Sequence, residues 1–443
     1  MKLTLNSTEN FLDFLKETPT PYHVLGCLEQ ALKDAGGTET TLTDIRNAER
    51  GRLYYIPFAD GCIAAFYAGK GFTEQREDVL RIAAAHVDYP VLKIKTTSLK
   101  TGANALRLCV ESYGGLIRHT WVDRPLKLCG RVFYRTQYGR EFADIADLGP
   151  RFVIPDVAIH MNPGVNDGAR FSVQNQLLPV FGLDTENGTG KFALLLAEKI
   201  NSIKGFGPSE MITPDDILSI DLSTVVAEDP VVCGADGEFI SAQGLDDRGM
   251  VHAIFAGFLT FVEESGAASC GDIRVAFAFN HEECGSQSYG GARTAFVEET
   301  VKELCKRFTG RHPLDVCAES MLISADMGHA THPSYPELSD QTSPVVLGGG
   351  IVLKTSWNQS YSTTPEAMAF FADLCTRNDI PFQRFTNNSD MRGGGTIGPI
   401  LSASLGIKTV DVGNPLLAMH ASREFETVAD QHTAGNLFRA FYE

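Results

Sequence analysis

Glu282 and Glu283 follow the apolar run Val275–Phe279 after only Asn280 and His281. Two neighbouring carboxylates at a strand end can point in different directions, so one can bind a cation while the other handles a proton. An isolated Glu-Glu pair is ordinarily a solvated turn. Here four other segments share the design, a short apolar run that ends on a potential metal ligand. They are residues 82–88 with His86 and Asp88, 244–249 with Asp246 and Asp247, 321–326 with Asp326, and 416–420 with His420. Short apolar runs read as buried strands, and in open α/β sheets functional groups collect beyond the carboxyl ends of the strands. The five segments are therefore expected to converge.

The chemistry that such a set performs is metal-assisted hydrolysis. Two cations about 3.5–4 Å apart activate water and clamp both sides of a developing tetrahedral centre. Asp246, just ahead of a Gly-containing helix start, suits the bridging carboxylate. His86 and Asp326 then complete the ligands of one ion, and Glu283 and His420 those of the other. Two imidazoles with three carboxylates are compatible with Zn, Co or Mn. Asp88 is expected to accept the second ring proton of His86 and fix its tautomer. Glu282 stays free of metal and is the candidate general base, moving a proton from the bridging water to the leaving amine. Asp247 and Arg248 are expected to make structural contacts.

The elements that position these groups belong to a chain of 443 residues with 43% hydrophobic content, enough for two domains. No apolar run reaches membrane-spanning length and the N-terminus lacks a signal-peptide core, so a cytoplasmic protein is expected. A net charge of -17 argues against nucleic-acid binding, which needs clustered Lys and Arg. Ten scattered cysteines, with no Cys-x-x-Cys pair, read as reduced and structural; Cys284, beside the acid pair, is not a nucleophile. The triplets Gly348–Gly350 and Gly393–Gly395 lack the ending of a phosphate loop and instead allow close backbone approach to a substrate.

Helices are expected over 8–15 and from Tyr22 to about Ala35, and a hairpin over 53–57 and 62–67. Residues 91 to about 236 change character, with alternating segments such as 106–111 and 130–134 that suit an antiparallel β unit. Helices at 190–202 and from near Thr213 are expected to interrupt it. The pattern then becomes regular α/β, with helices at 249–264, 290–307, 364–378 and 430–442 and strands at 273–279 and 321–325. This predicts a catalytic domain in two parts, 1–92 and 238–443, around an inserted domain at 93–237. A linear split would separate His86 from the other ligands.

The set His86-Val87-Asp88, Leu245-Asp246-Asp247, Glu282-Glu283-Cys284-Gly285-Ser286, Ser324 to Pro333, Gly395 to Ile400 and Leu417-Ala418-Met419-His420 resembles the aspartyl aminopeptidase family of metalloaminopeptidases. The resemblance runs from Phe11 almost to the C-terminus. It implies an α/β dinuclear zinc exopeptidase fold, a mixed sheet flanked by helices, with an inserted β-rich dimerisation domain. It also implies a tetrahedral dodecamer acting on peptides, with His160 reaching a neighbouring subunit's active site. The segment from Gly114 through Leu126 resembles a family segment of the insertion. By the same resemblance, Lys354 pairs with an acidic substrate side chain, and at least one of His329 and His332 contacts substrate or stabilises the oxyanion; Gly395 and Thr396 are also expected to bind substrate. The sequence departs from the animal aspartyl enzymes around Lys354 and at Arg392, which adds positive charge. The expected activity is removal of N-terminal residues, preferably Asp or Glu, with two divalent ions, zinc foremost. The alternatives are a related aminopeptidase of neutral or broad specificity and a non-catalytic self-assembling scaffold; the intact ligand set speaks against the scaffold.

Overall fold

The computed structural model describes residues 1–71, 79–185, 188–264, 271–391 and 393–443. Cys270 and Arg392 lie outside the described residues.

The apolar runs named above build a mixed nine-stranded sheet. Its order is Thr38–Glu39, Leu53–Phe58, Cys62–Ala68, Ile273–Phe279, Leu80–His86, Met321–Ala325, Lys408–Gly413, Ile351–Thr355 and Phe382–Thr386. The four central strands, from Ile273–Phe279 to Lys408–Gly413, run parallel. Buried on both faces, such strands read as continuous apolar runs, which is what residues 273–279 and 82–85 are. Register places Phe279 opposite His86, and Ala325 opposite Val412. His86, Glu282, Glu283 and Asp326 thereby leave the sheet at one end.

Helices cover both faces. Thr8–Glu17, Pro21–Asp34, Leu245–Glu264, Pro365–Arg377 and Val428–Tyr442 pack on one side through Phe11, Phe14, Leu28, Phe255, Phe371 and Phe441. Ala295–Phe308, Pro313–Glu319 and Gly398–Leu405 cover the other through Phe296, Val301, Leu304 and Leu401. The helix expected from Gly290 begins five residues later, because the side chain of Thr294 caps it by accepting the Phe296 N–H.

Between His86 and Asp246 lies a separate antiparallel sheet of six strands, in the order Gly139–Ile145, Leu126–Thr136, Ile217–Val226, Val91–Gly102, Ala105–Tyr113 and Val180–Leu183. Helix Lys191–Lys204 packs on it, and Leu108, Trp121, Val132, Phe192 and Leu196 form its own core. One expectation fails here. The segment after Thr213 is a single 3-10 turn, Pro214–Asp216, followed by the strand Ile217–Val226. Thr213 and Asp216 form a capping box, the local signature of a helix start. The β-branched residues beyond it favour the strand, and its pairing with Leu126–Thr136 decides the outcome. A small third sheet joins Val231–Cys233, Phe239–Ala242 and Glu424–Thr427, tying the segment ahead of Asp246 to the one after His420.

Candidate active site

Three of the five ligand segments are strand ends, as their apolar runs predict. His86 is the last residue of its strand, Asp326 follows Ala325, and the acid pair forms a 3-10 turn after Phe279 and Asn280. Residues 244–249 are different: Asp246 and Asp247 sit in the opening of helix Leu245–Glu264 with non-helical backbone angles. The apolar stretch here follows the acids, in a helix buried almost all round, rather than preceding them in a strand. His420 lies in a turn beyond Pro415–Leu416.

These side chains converge. His86 Nε2 is 3.4 Å from Asp246 Oδ1 and 3.9 Å from Asp326 Oδ2. His420 Nε2 is 3.5 Å from Asp246 Oδ2 and 3.2 Å from Glu283 Oε1. The two oxygens of Asp246 thus face different imidazoles, the arrangement a bridging carboxylate requires. Asp246 Oδ1 is buried without a hydrogen bond, an orphaned acceptor of the kind a cation satisfies. One ligand atom each from Asp246, Glu283 and His420 fall within 4.8 Å of one another, as do those of His86, Glu282 and Glu283, and those of His86, Asp246 and Asp247. An acid-rich set with two imidazoles fits divalent metal chemistry.

The electrostatics are those of crowded acids. Burial, then the neighbouring carboxylates Asp326 and Glu283, push Glu282 up to about 8 against the pull of His86. Burial raises Asp247, Glu283 and Asp326 too. For His420, burial is outweighed by Asp246 and Glu283, which hold it up at about 11. Burial opposes the ionised form of Asp246 as well, but the imidazoles of His420 and His86 beside its two oxygens bring it well below the usual carboxylate range.

The groups open on a cleft of about 430 Å³ lined by His86, Asp246, Glu282, Asp326, Lys354 and Gly395, among others. Glu282 makes no side-chain hydrogen bond or ion pair among the described residues. His329 and Thr396 also line the cleft, but the Thr396 hydroxyl donates to Asp411 Oδ1 at 2.6 Å. Lys354 is only 2% exposed and its ammonium lies 2.8 Å from Asp326 Oδ1 and 2.6 Å from the Met327 carbonyl. His332 is outside the cleft lining, its Nδ1 accepting the Ser334 N–H. His160 sits on an exposed turn between the strands Gly139–Ile145 and Val180–Leu183.

Asp88 is placed differently from expectation. His86 Nδ1 is 3.0 Å from the Asp88 carbonyl oxygen, against 3.5 Å from its carboxylate. The carboxylate is engaged elsewhere: it accepts the backbone N–H groups of Glu282 and Glu283, both at 3.1 Å, and the Tyr113 hydroxyl at 2.6 Å. Asp247 accepts the His86 N–H, and the Arg248 guanidinium bonds the carbonyls of Leu15, Thr18, Gln243 and Gly244, structural contacts in both cases. The Cys284 thiol is pushed up by burial and by Asp88, Glu282 and Glu283, consistent with an inert group.

Three contributors escaped sequence reasoning. Glu424, 1% exposed, accepts the Asp246 N–H at 3.0 Å and the His420 N–H at 2.7 Å. Its signal was the Glu-Phe-Glu alternation four residues beyond His420, a strand with two inward acids. Tyr113 ends the strand Ala105–Tyr113 of the six-stranded sheet and Gly115 follows it, and nothing in their local sequence marks them as neighbours of the site.

A family profile described as aminopeptidase I zinc metalloprotease (M18) matches residues 14–442. The chain is 33% identical over 447 residues to a probable M18 family aminopeptidase 2 of Clostridium novyi (strain NT), covering 100% of both chains. Its identity to the protein of that name from Ectopseudomonas mendocina (strain ymp) is 34% over 434 residues, 98% of this chain and 97% of the other. Among solved structures, the cryo-EM structure of the Ape4 and Nbr1 complex has a TM-score of 0.90 at 31% identity, covering 98% of this chain and 84% of that one. The S. cerevisiae mApe1 dodecamer has a TM-score of 0.82 at 24% identity, covering 98% and 95%. No helix among the described residues is long and apolar enough to cross a membrane. The chain belongs to the M18 family of zinc metalloproteases and is an aminopeptidase.

Proposed function

We propose that this aminopeptidase works with two divalent ions, zinc foremost, and prefers peptides with an acidic N-terminal residue. His86 and Asp326 would hold one ion, Glu283 and His420 the other, and Asp246 both. The observation that carries this reading is Asp246, whose two oxygens face His86 and His420 separately. Bound divalent ions supply a more acidic water and a polarised scissile carbonyl. Glu282, which makes no side-chain hydrogen bond or ion pair among the described residues, is placed to take a proton from that water and return it to the leaving amine, and cations bound beside it would hold it in the ionised form a base needs. Asp88 holds the backbone of the acid pair through its two N–H groups.

The acidic preference rests on Lys354. Its ammonium has three donors and two are used, by Asp326 and Met327, which leaves one for a substrate carboxylate in the cleft. A neutral side chain leaves that donor unpaired at a buried position. The Asp326 ion pair itself favours a second reading, neutral or broad specificity, because it already neutralises the lysine. Assembly into a dodecamer, with His160 entering a neighbour's site, and a cytoplasmic location complete the proposal; the exposure of His160 leaves it accessible to another subunit.

Aspartyl and leucyl arylamides separate the readings. The acidic reading expects higher kcat/KM for the aspartyl substrate, and Lys354→Met is expected to remove that advantage. Faster leucyl turnover, with a ranking indifferent to Lys354, would establish the neutral reading instead.

A further inference from the structure

We propose that Tyr113, in the inserted sheet, is a positioning residue for the catalytic pair Glu282 and Glu283 of its own chain. The inference rests on the reading of Glu282 as the base and Glu283 as a metal ligand.

Tyr113 ends the strand Ala105–Tyr113, and its hydroxyl donates to Asp88 Oδ2 at 2.6 Å. The Asp88 carboxylate is 1% exposed and accepts the Glu282 N–H through Oδ1 and the Glu283 N–H through Oδ2. Competing for it is His86 Nδ1, 3.5 Å from Oδ1. A buried carboxylate with a choice of donors is fixed by the strongest bond it accepts, and a short O–H bond to an ionised oxygen is of that kind. The phenol therefore holds Asp88 toward the two amides, and through them sets where the carboxylates of Glu282 and Glu283 project.

The same turn touches the centre independently. Gly114 has φ +71°, and a Cβ there would lie 3.2 Å from Glu283 Oε2, so the backbone approaches the acid where a side chain would be strained and would crowd it. The Gly115 carbonyl is 3.1 Å from His420 Nδ1, and the Ile117 N–H donates to the His420 carbonyl at 3.1 Å. The insertion thus reaches Asp88, Glu283 and His420 within one protomer, apart from any part it takes in assembly.

Tyr113→Phe tests this, since it removes the hydroxyl and keeps the ring against Lys93 and His281. Loss of a contact that orients a ligand is expected to cost about 10–100-fold in metal affinity or activity. Three readouts apply: kcat and KM on an arylamide, zinc affinity by competition with a chromophoric chelator, and amide exchange of the 280–286 peptide in metal-stripped protein. The proposal expects kcat to fall about tenfold or more with KM within twofold, zinc to bind more weakly, and exchange at 282 and 283 to accelerate. Unchanged kcat, zinc affinity and exchange in a folded variant would overturn it. Lys93→Met, which keeps the hydroxyl but removes the charge over the ring, is the control; an equal loss there would assign the effect to packing and also overturn the proposal. Turnover retained in Glu282→Gln would sink the reading of the base, while the exchange measurement still judges Tyr113.

Discussion

Replacing Glu424 by Gln tests how much of the metal centre is held from behind. Both oxygens of this buried side chain accept backbone N–H groups, Oε2 from Asp246 and Oε1 from His420. An amide keeps one acceptor and turns an NH₂ group toward the other N–H, so one bond to a charged acceptor disappears and a donor is stranded. The lost bond corresponds to about 1.5–3 kcal/mol and the stranded donor to about 1–3 kcal/mol more. If only the lost bond is expressed at the site, about 1.4 kcal/mol per decade gives roughly a 10–100-fold loss of zinc affinity. Burial and the Asp246 carboxylate push Glu424 up to about 8, and nearby cations would return it toward the ionised form that both amides need. Zinc affinity measured by competition, together with kcat/KM at saturating zinc, reads the effect. Affinity and turnover within twofold of the parent would refute the idea that Glu424 places Asp246 and His420.

Two further predictions concern the scaffold. His252 packs against Phe11 and Phe14, and burial first, then the nearby His432, lowers it from 6.5 to about 3. The unfolded chain therefore binds the extra proton first, and stability falls as pH drops from 6.5 toward 3, by up to roughly 5 kcal/mol in total. Denaturant titrations of His252→Asn are expected to show a shallower loss over that window than the parent; parallel curves would contradict it. A Cβ at Gly413 would overlap the Asp326 carbonyl, so Gly413→Ala is expected to reduce stability by about 1–3 kcal/mol and weaken zinc binding by displacing Asp326. An unaltered unfolding midpoint and zinc affinity would count against this.

How much of this was legible depended on whether the information was local. The strands ending on His86 and Asp326 were readable because both faces of a central parallel strand are buried, which writes an uninterrupted apolar run into the sequence. The antiparallel sheet between His86 and Asp246 was readable because the sequence there changes period, from apolar blocks to alternation. The segment after Thr213 misled, since a capping box is a local signal and the strand partner that overrides it, Leu126–Thr136, lies far away in sequence. Asp88 was found as a residue but not in its contacts: its nearness to His86 is sequential, while its bonds to Glu282, Glu283 and Tyr113 exist only in the fold. Glu424 was missed because it acts on backbone N–H groups, which every residue carries and no motif records.

The site also fixes what removing divalent ions does to the whole molecule. Asp246, Asp247, Glu283 and Asp326 are packed around His86 and His420; burial acts against ionisation of all four, and only Asp246 is brought down on balance, by the two imidazoles. Glu282 and Glu424, both pushed up to about 8, and His420, held at about 11, bind protons in the folded chain that the unfolded chain has released by neutral pH. Groups raised in this way contribute stability that is complete below their unfolded values and is lost as pH rises through the folded ones. The metal-stripped protein is therefore expected to be less stable at pH 8 than at pH 6. Zinc at about 1,000 times its dissociation constant restores about 4 kcal/mol and removes most of that pH dependence, because cations then do what protons did. Unfolding midpoints at both pH values, before and after chelation and after zinc is returned, provide the test. A stripped protein at least as stable at pH 8 as at pH 6, or one whose midpoint ignores zinc, would mean that the acids are held by the polypeptide alone and that Asp246 is not a bridge.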